Sequence, residues 1–157
     1  MSSMILLESI LKQQKEGYPQ YSDDDFFEHF CADNILLNHD LSHEEIEEGV
    51  VDGPKDAGID CAYVFVNRNL LTEDFEFSGI KQPVDIELVV IQAKNQDTFK
   101  EAPINQLSSS LPLLLDADQA KDKLEALFKP QVVQIFQTFI DAMRRLAGEF
   151  PKVAIRV

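Results

Sequence analysis

The segment "DIELVVIQAK", residues 85–94, constrains the fold of this 157-residue chain more than any other. In a strand, successive side chains point to opposite faces, and Leu88, Val89, Val90 and Ile91 are apolar at every step. A strand apolar on both faces must be covered on both, as in a sheet lying between two layers of helices. Residues 59–67, rich in Ile, Tyr, Val and Phe, read as a second strand. The terminal "KVAIRV" reads as a further strand cut short at Val157, which suggests the front part of a longer protein. Between the first two, residues 68–83 are polar, with an alternating "DFEF", Gly79 and Pro83. That fits a turn with a short extra strand.

The remaining segments read as helices. "MSSMILLESILKQQKEG" is amphipathic, with Ile5, Leu6, Leu7 and Ile10 on its expected buried side. It has no basic leader and carries Glu8 inside its apolar part, so it is a poor signal peptide. Ser22 opens a second helix with Asp25 as its capping-box partner and Asp23 and Asp24 in the first turn. Phe26, Phe27, Phe30, Cys31 and Ile35 form its apolar face, with Glu28 at the edge. A short third helix starts at Ser42, with Glu45 three residues on, and ends near Gly49. Beyond the central strand a helix runs at least from Ile104, with a break or kink at Pro112. "DADQAKDKLEALF" is helical by composition. Pro130 opens a long helix to about Leu146, with Val133, Phe136, Ile140 and Met143 on one face. Gly148 and Pro151 end it. The order predicts one α/β domain over residues 1–157, a central mixed sheet flanked by helices.

Charge and motifs exclude several functions. The chain carries 14 Lys and Arg against 28 Asp and Glu, a net charge of −14. Residues 1–120 account for −17 and residues 121–157 for +3. So acidic a surface repels phosphate backbones at long range. No segment approaches the ~20 consecutive apolar residues of a membrane span. Cys31 and Cys61, without a secretion signal, read as buried thiols of a cytoplasmic protein. There is no phosphate-binding G-x-x-x-x-G-K-[ST] loop and no nucleophile elbow. His39 and His43 have i, i+4 spacing but no third histidine or cysteine follows, which argues against zinc. Asp52, Asp56 and Asp60 in "DGPKDAGID" lie four apart and lack the spacing of a calcium loop.

One constellation remains. Asp60 falls inside the apolar pattern of its strand, while Gln92 and Lys94, two apart, share a face at the end of the central strand. If the two strands pair antiparallel, the start of the first meets the end of the second, and the three side chains converge at one end of the sheet. Singly, each has a plain explanation. Asp60 suits a turn at a strand start, Gln92 and Lys94 suit a solvated strand end, and Glu28 is one helical acid among Asp24, Glu45 and Glu48.

Together, "GPKDAGID" (Gly53, Asp56, Gly58, Ile59, Asp60) and "VVIQAK" (Gln92, Lys94) resemble the PD-(D/E)XK nuclease superfamily. More narrowly they resemble the nuclease region at the front of abortive phage infection proteins of the AIPR type. Glu28, in "FFEHF", resembles the glutamate on that superfamily's first core helix, and the similarity covers most of residues 22–110. The resemblance implies a restriction-endonuclease-like fold and hydrolysis of phosphodiester bonds assisted by Mg²⁺ or Mn²⁺, on DNA rather than RNA, in defence against phage. In that role Asp60 anchors the metal, the Gln92 side chain and the Ala93 carbonyl add neutral ligands, and Glu28 completes the site directly or through water. Lys94 positions the attacking water and offsets charge building in the transition state. Gln106, on the following helix, and Lys100 are candidate substrate contacts. A homodimer would suit two-strand cleavage, and a downstream region would supply basic surface. This sequence departs from the pattern at Gln92, where many members carry an acid. One negative charge fewer weakens metal affinity, which motivates a rival reading as a nuclease-fold module that binds nucleic acid or protein without cutting.

Overall fold

Serine caps set the start of the first helical layer. In a computed structural model, described for residues 3–51, 53–95 and 100–157, the Ser22 hydroxyl accepts from Asp25 N at 3.1 Å while Ser22 N donates to the Asp25 carboxylate at 3.3 Å. The same exchange joins Ser42 and Glu45. These boxes satisfy amide groups that a helix start leaves unpaired. They begin α2 (Asp23–Ile35) and α3 (His43–Glu48), which follow α1 (Ser3–Lys15). A Ser22→Ala substitution should cost about 1 kcal/mol, lowering the melting temperature by roughly 2–4 °C, with the α2 capping loss read by calorimetry. Asp52 lies outside the described residues.

The sheet comprises β1 (Cys61–Val66), β2 (Asn69–Leu70), β3 (Asp85–Ile91) and β4 (Lys152–Arg156), in the order β2-β1-β3-β4. β1 runs antiparallel to both neighbours, and β3 and β4 are parallel. The short extra strand forms at Asn69–Leu70 rather than at "DFEF". Asn67 and Arg68 both take positive φ, as the tight two-residue hairpin between β1 and β2 requires. Between β3 and β4 come α4 (Glu101–Leu114), α5 (Lys121–Leu127) and α6 (Pro130–Leu146). Pro112 neither breaks α4 nor starts a new element; it sits in the last turn, where few backbone bonds remain to be lost. α5 is shorter than its sequence suggests, because Asp116 accepts from Asp118 N and holds a turn there.

Alternation on the central strands divides the core in two, as the doubly apolar strand requires. Ala62, Val64, Val66, Ile86, Leu88 and Val90 pack with Val133, Phe136 and Phe139 of α6 on one face. Cys61, Tyr63, Phe65, Val89 and Ile91 pack with Ala32 and Leu36 at the end of α2 and Ile46 of α3 on the other. The fold is thus an α/β protein with a four-strand mixed sheet packed against helices. Among the described residues no helix is long and apolar enough to cross a membrane.

Two burial expectations are corrected. α1 forms, but none of its residues is buried: Met4, Ile5, Leu6, Leu7 and Ile10 are 36–59% exposed. The other helices already cover both faces of β1 and β3, while β4 is exposed along its length, and α1 lies beside α2, outside both clusters. On α2 the buried stripe is Phe26, His29 and Ala32, leaving Ile35 45% exposed and Phe27, Phe30 and Cys31 half-buried.

Candidate functional site

The loop before β1 is built to deliver one carboxylate. Lys55 and Ala57 adopt left-handed backbone conformations (φ 65° and 64°), each costing of order 1 kcal/mol in a non-glycine residue. Surrounding bonds hold them there. Lys55 donates through Nζ to Ala126 O at 3.1 Å and accepts from Lys129 N at 2.8 Å. Asp56 Oδ1 accepts from Gly58 N at 2.8 Å, closing an aspartate turn. Gly58 has φ 78°, and a Cβ there would lie 3.1 Å from Pro103 O and 3.2 Å from Leu107 N, both backbone atoms of α4. Only glycine suits that position. Ile59 is then fully buried and Asp60 stands at the mouth of β1.

Asp60 ends the β1–β3 ladder. Its N–H donates to Ile91 O at 3.0 Å, the last backbone rung, while Cys61 pairs with Ile91 in register. The next amide, Ala93 N, donates instead to Asp60 Oδ2 at 2.6 Å. A side chain has replaced the strand as acceptor. β3 therefore stops at Ile91 rather than running to residue 94, and β1 begins at Cys61 rather than 59. Gln92 and Lys94 lie beyond the ladder, so strand alternation does not fix their directions. Lys94 Nζ reaches Asp60 Oδ1 at 3.5 Å, an ion pair between a 7% exposed carboxylate and a half-exposed ammonium. Gln92 Nε2 donates to Gly58 O at 2.8 Å. The antiparallel pairing thus brings Asp60, Ala93 and Lys94 into contact and ties Gln92 to the same loop.

Burial is the largest influence on Asp60 and holds its carboxyl above the usual range of about 3.8. The Ala93 N–H and the Lys94 ammonium pull in the opposite direction, and Asp56 adds to the rise. Burial also pushes the free thiols of Cys31 and Cys61 up to about 11 and about 12, with further rises from Glu28 and Asp60. Both acids therefore bear on the same pair of thiols, from α2 and from the sheet.

Glu28 opens on a cleft of about 140 Å³ that it shares with Asp24, Phe27, Ala93, Lys94 and Asn95. Neither Asp60 nor Gln92 is part of its lining, so the cleft brings Glu28 beside Ala93 and Lys94 but not beside the Asp60 carboxylate. Lys100 caps the start of α4, and Gln106 is exposed on α4; neither side chain bonds to Asp60, Gln92 or Lys94 among the described residues. The sequence reading missed Phe27 and Asn95 and treated Asp24 only as an alternative to Glu28. Asp24 lies four residues before Glu28 and so on the same side of α2, which was the available signal.

The available donors are all oxygens: the Asp60 and Glu28 carboxylates, the Ala93 carbonyl and the Gln92 amide. That set fits a hard cation such as Mg²⁺, which keeps waters and takes one or two carboxylates. Among the described residues no group of three or more His, Cys, Asp or Glu side chains is placed to hold a metal ion, so a softer, closed site of the zinc kind has no donors. Comparison with protein-family models, with curated proteins and with solved structures finds no match to this chain.

Proposed function

We propose that this chain is a metal-dependent endonuclease domain of the PD-(D/E)XK type, hydrolysing phosphodiester bonds of DNA in defence against phage. The observation that carries the reading is the buried Asp60 carboxylate, held between two strand ends by the Ala93 N–H and paired with Lys94. Asp60 and Glu28, with the Ala93 carbonyl and the Gln92 amide oxygen, are the groups that would hold Mg²⁺ or Mn²⁺. When bound there, the ion supplies positive charge against the phosphate and an acidified water. Lys94, half exposed above Asp60, presents N–H donors to the attacking water and to the non-bridging oxygens, where negative charge grows. The Ala93–Asp60 bond fixes the carboxylate before substrate arrives, and the strained loop fixes it from the other side.

A second reading is favoured by the bonds the site makes with itself. Gln92 is tied to Gly58 and Asp60 to Ala93, which together staple the loop to the end of β3. Together with a net charge of −14, that arrangement also suits a module of the same fold that binds without cutting. Plasmid incubation with Mg²⁺ or Mn²⁺, then with excess chelator, separates the two. Nicking that stops in chelator and falls about 10²-fold in Lys94→Ala is the expected result. Cutting that persists in chelator, or in the variant, ends the proposal.

A further inference from the structure

β4 forms the outer border of the sheet and is covered on neither face. It bonds to β3 on one side, and among the described residues nothing pairs with its other side. All five of its residues are exposed. Lys152 N donates to Val84 O at 2.8 Å, so in the parallel ladder the backbone groups of Lys152, Ala154 and Arg156 point to β3. Those of Val153 and Ile155 point outward. Register with Ile86 and Leu88 places the Val153 and Ile155 side chains on the α6 face, where they are 43% and 45% exposed. Outward-pointing backbone donors and acceptors beside two exposed β-branched side chains form a template for a further strand.

Charge and sequence select a second copy of this chain as that strand's source. Residues 1–120, which supply β1, β2 and β3, carry −17, whereas residues 121–157, which supply β4, carry +3. The opposite border, β2, is two residues long and belongs to the acidic part. β4 is therefore the border at which two copies repel each other least. A strand pairs with its own copy antiparallel about a two-fold axis, and any residue of β4 could lie on that axis. With Lys152, Ala154 or Arg156 there, like charges stand directly opposite, which destabilises a strand pair. With Val153 there, Ile155 meets Pro151, which has no N–H to give. With Ile155 there, Ile155 meets itself, Val153 meets Val157 and Ala154 meets Arg156. That register sets apolar against apolar on the α6 face. On the other face it sets a small side chain against an arginine already paired with Glu87 at 3.4 Å.

We propose that β4 pairs antiparallel with β4 of a second copy, about a two-fold axis at Ile155, joining the two sheets into one. Asp60 and Lys94 lie at the end of the sheet towards which β3 runs, and β4 is parallel to β3. The antiparallel copy therefore carries its own pair to the opposite end. The two candidate sites stand apart, so the interface does not rest on the nuclease reading. A contact confined to one strand falls in the small class of specific interfaces, below about 1,200 Å², so self-association is weak and concentration-dependent. Salt strengthens it, because each copy carries −14 and the contact consists of backbone bonds and apolar side chains rather than ion pairs.

Sedimentation equilibrium of this chain between about 10 μM and about 1 mM should show monomer giving way to dimer, more so at high salt. Ile155→Lys sets two like charges across the axis and should weaken association roughly 10-fold, as should Ile155→Glu. An equimolar mixture of those two proteins should associate about as well as the parent, since opposite charges then face each other. Ile155 is exposed in the monomer, so both variants should melt like the parent at low concentration. Ile155→Pro removes only an outward N–H and should abolish the dimer, whereas Ala154→Pro removes a bond to β3 and should lower the melting temperature. A chain that stays monomeric at about 1 mM, or a dimer that the Ile155 variants leave intact, overturns the proposal. So does a mixture no tighter than either variant alone, which would put another residue on the axis. Slow amide exchange at Val153 and Ile155 in a dilute monomer would place a segment of the same chain over this edge and overturn it too.

Discussion

An Asp60→Asn protein is expected to lose cleavage by about 10²–10³-fold while melting higher than the parent. The two effects have one origin. The Asp60 carboxyl holds its proton more tightly in the folded chain than in the unfolded one, chiefly because it is buried. A group raised in this way contributes stability that is fully present below its unfolded value and is lost as pH rises through its folded value. At pH 7 the ionised carboxylate therefore weighs against the fold. Asparagine has nearly the same shape, can accept from Ala93 N through Oδ1, and never ionises. A gain of about 1 kcal/mol is typical where a functional group is relieved of such a conflict, corresponding to roughly 2–4 °C for a domain of this size. The gain should shrink as pH falls and the parent carboxylate becomes protonated. Melting curves of both proteins at neutral and acid pH check the sign. Asp60 as a plain structural acid, stabilised by Lys94 and Ala93, predicts the reverse: a variant that melts lower at neutral pH.

How far such features could be read beforehand depended on how local their causes are. The caps at Ser22 and Ser42 are settled by groups three residues apart, and both formed as expected. The covered sheet was legible because strand alternation is a property of the backbone, and Leu88 through Ile91 leave no polar face. Asp60 was legible as a charge interrupting that pattern. What could not be read was decided across long separations. The end of β3 depends on Asp60 taking the amide of Ala93, 33 residues away. α1 has an apolar pattern, but a pattern names a face and not the surface that covers it. The buried stripe of α2 includes His29, whose ring lies 4.2 Å from that of His43 and whose Nε2 has no hydrogen-bond partner among the described residues. No propensity places a histidine there in preference to Phe30 or Ile35. Phe27 illustrates the cost of that rotation: assigned to the core by its type, it is half-buried and lines the cleft of Glu28 and Lys94.

The largest loss of stability is expected from one added methyl group, at Gly49. This glycine ends α3 and has an ordinary backbone conformation (φ −87°), so its requirement is purely steric. A Cβ built on it falls well inside contact distance of the Tyr63 ring. Tyr63 cannot retreat. Its hydroxyl donates to Ile46 O at 2.6 Å, and it is 2% exposed within the core cluster that contains Ala32, Leu36, Phe65 and Val89. Gly49 O in turn accepts from Ala62 N at 2.9 Å, so the backbone is fixed from the strand side as well. Overpacking of this kind commonly costs 1–3 kcal/mol and more where nothing can yield. Gly49→Ala should therefore lose about 3 kcal/mol or more, and the melting temperature should fall by roughly 6–12 °C. Tyr63→Leu alone should also destabilise, through a cavity and a lost hydrogen bond, but it removes the obstruction. The double variant should then be at least about 1 kcal/mol more stable than the sum of the two losses, the signature of direct contact. A Gly49→Ala protein melting within a degree of the parent, or strict additivity in the cycle, would show that α3 and β1 do not meet as described. Among the described residues neither Gly49 nor Tyr63 shares a hydrogen bond or ion pair with Asp60, Ala93 or Lys94, so the proposed cleavage should persist in the variant's folded fraction, assayed well below its melting point, while thermal tolerance is lost.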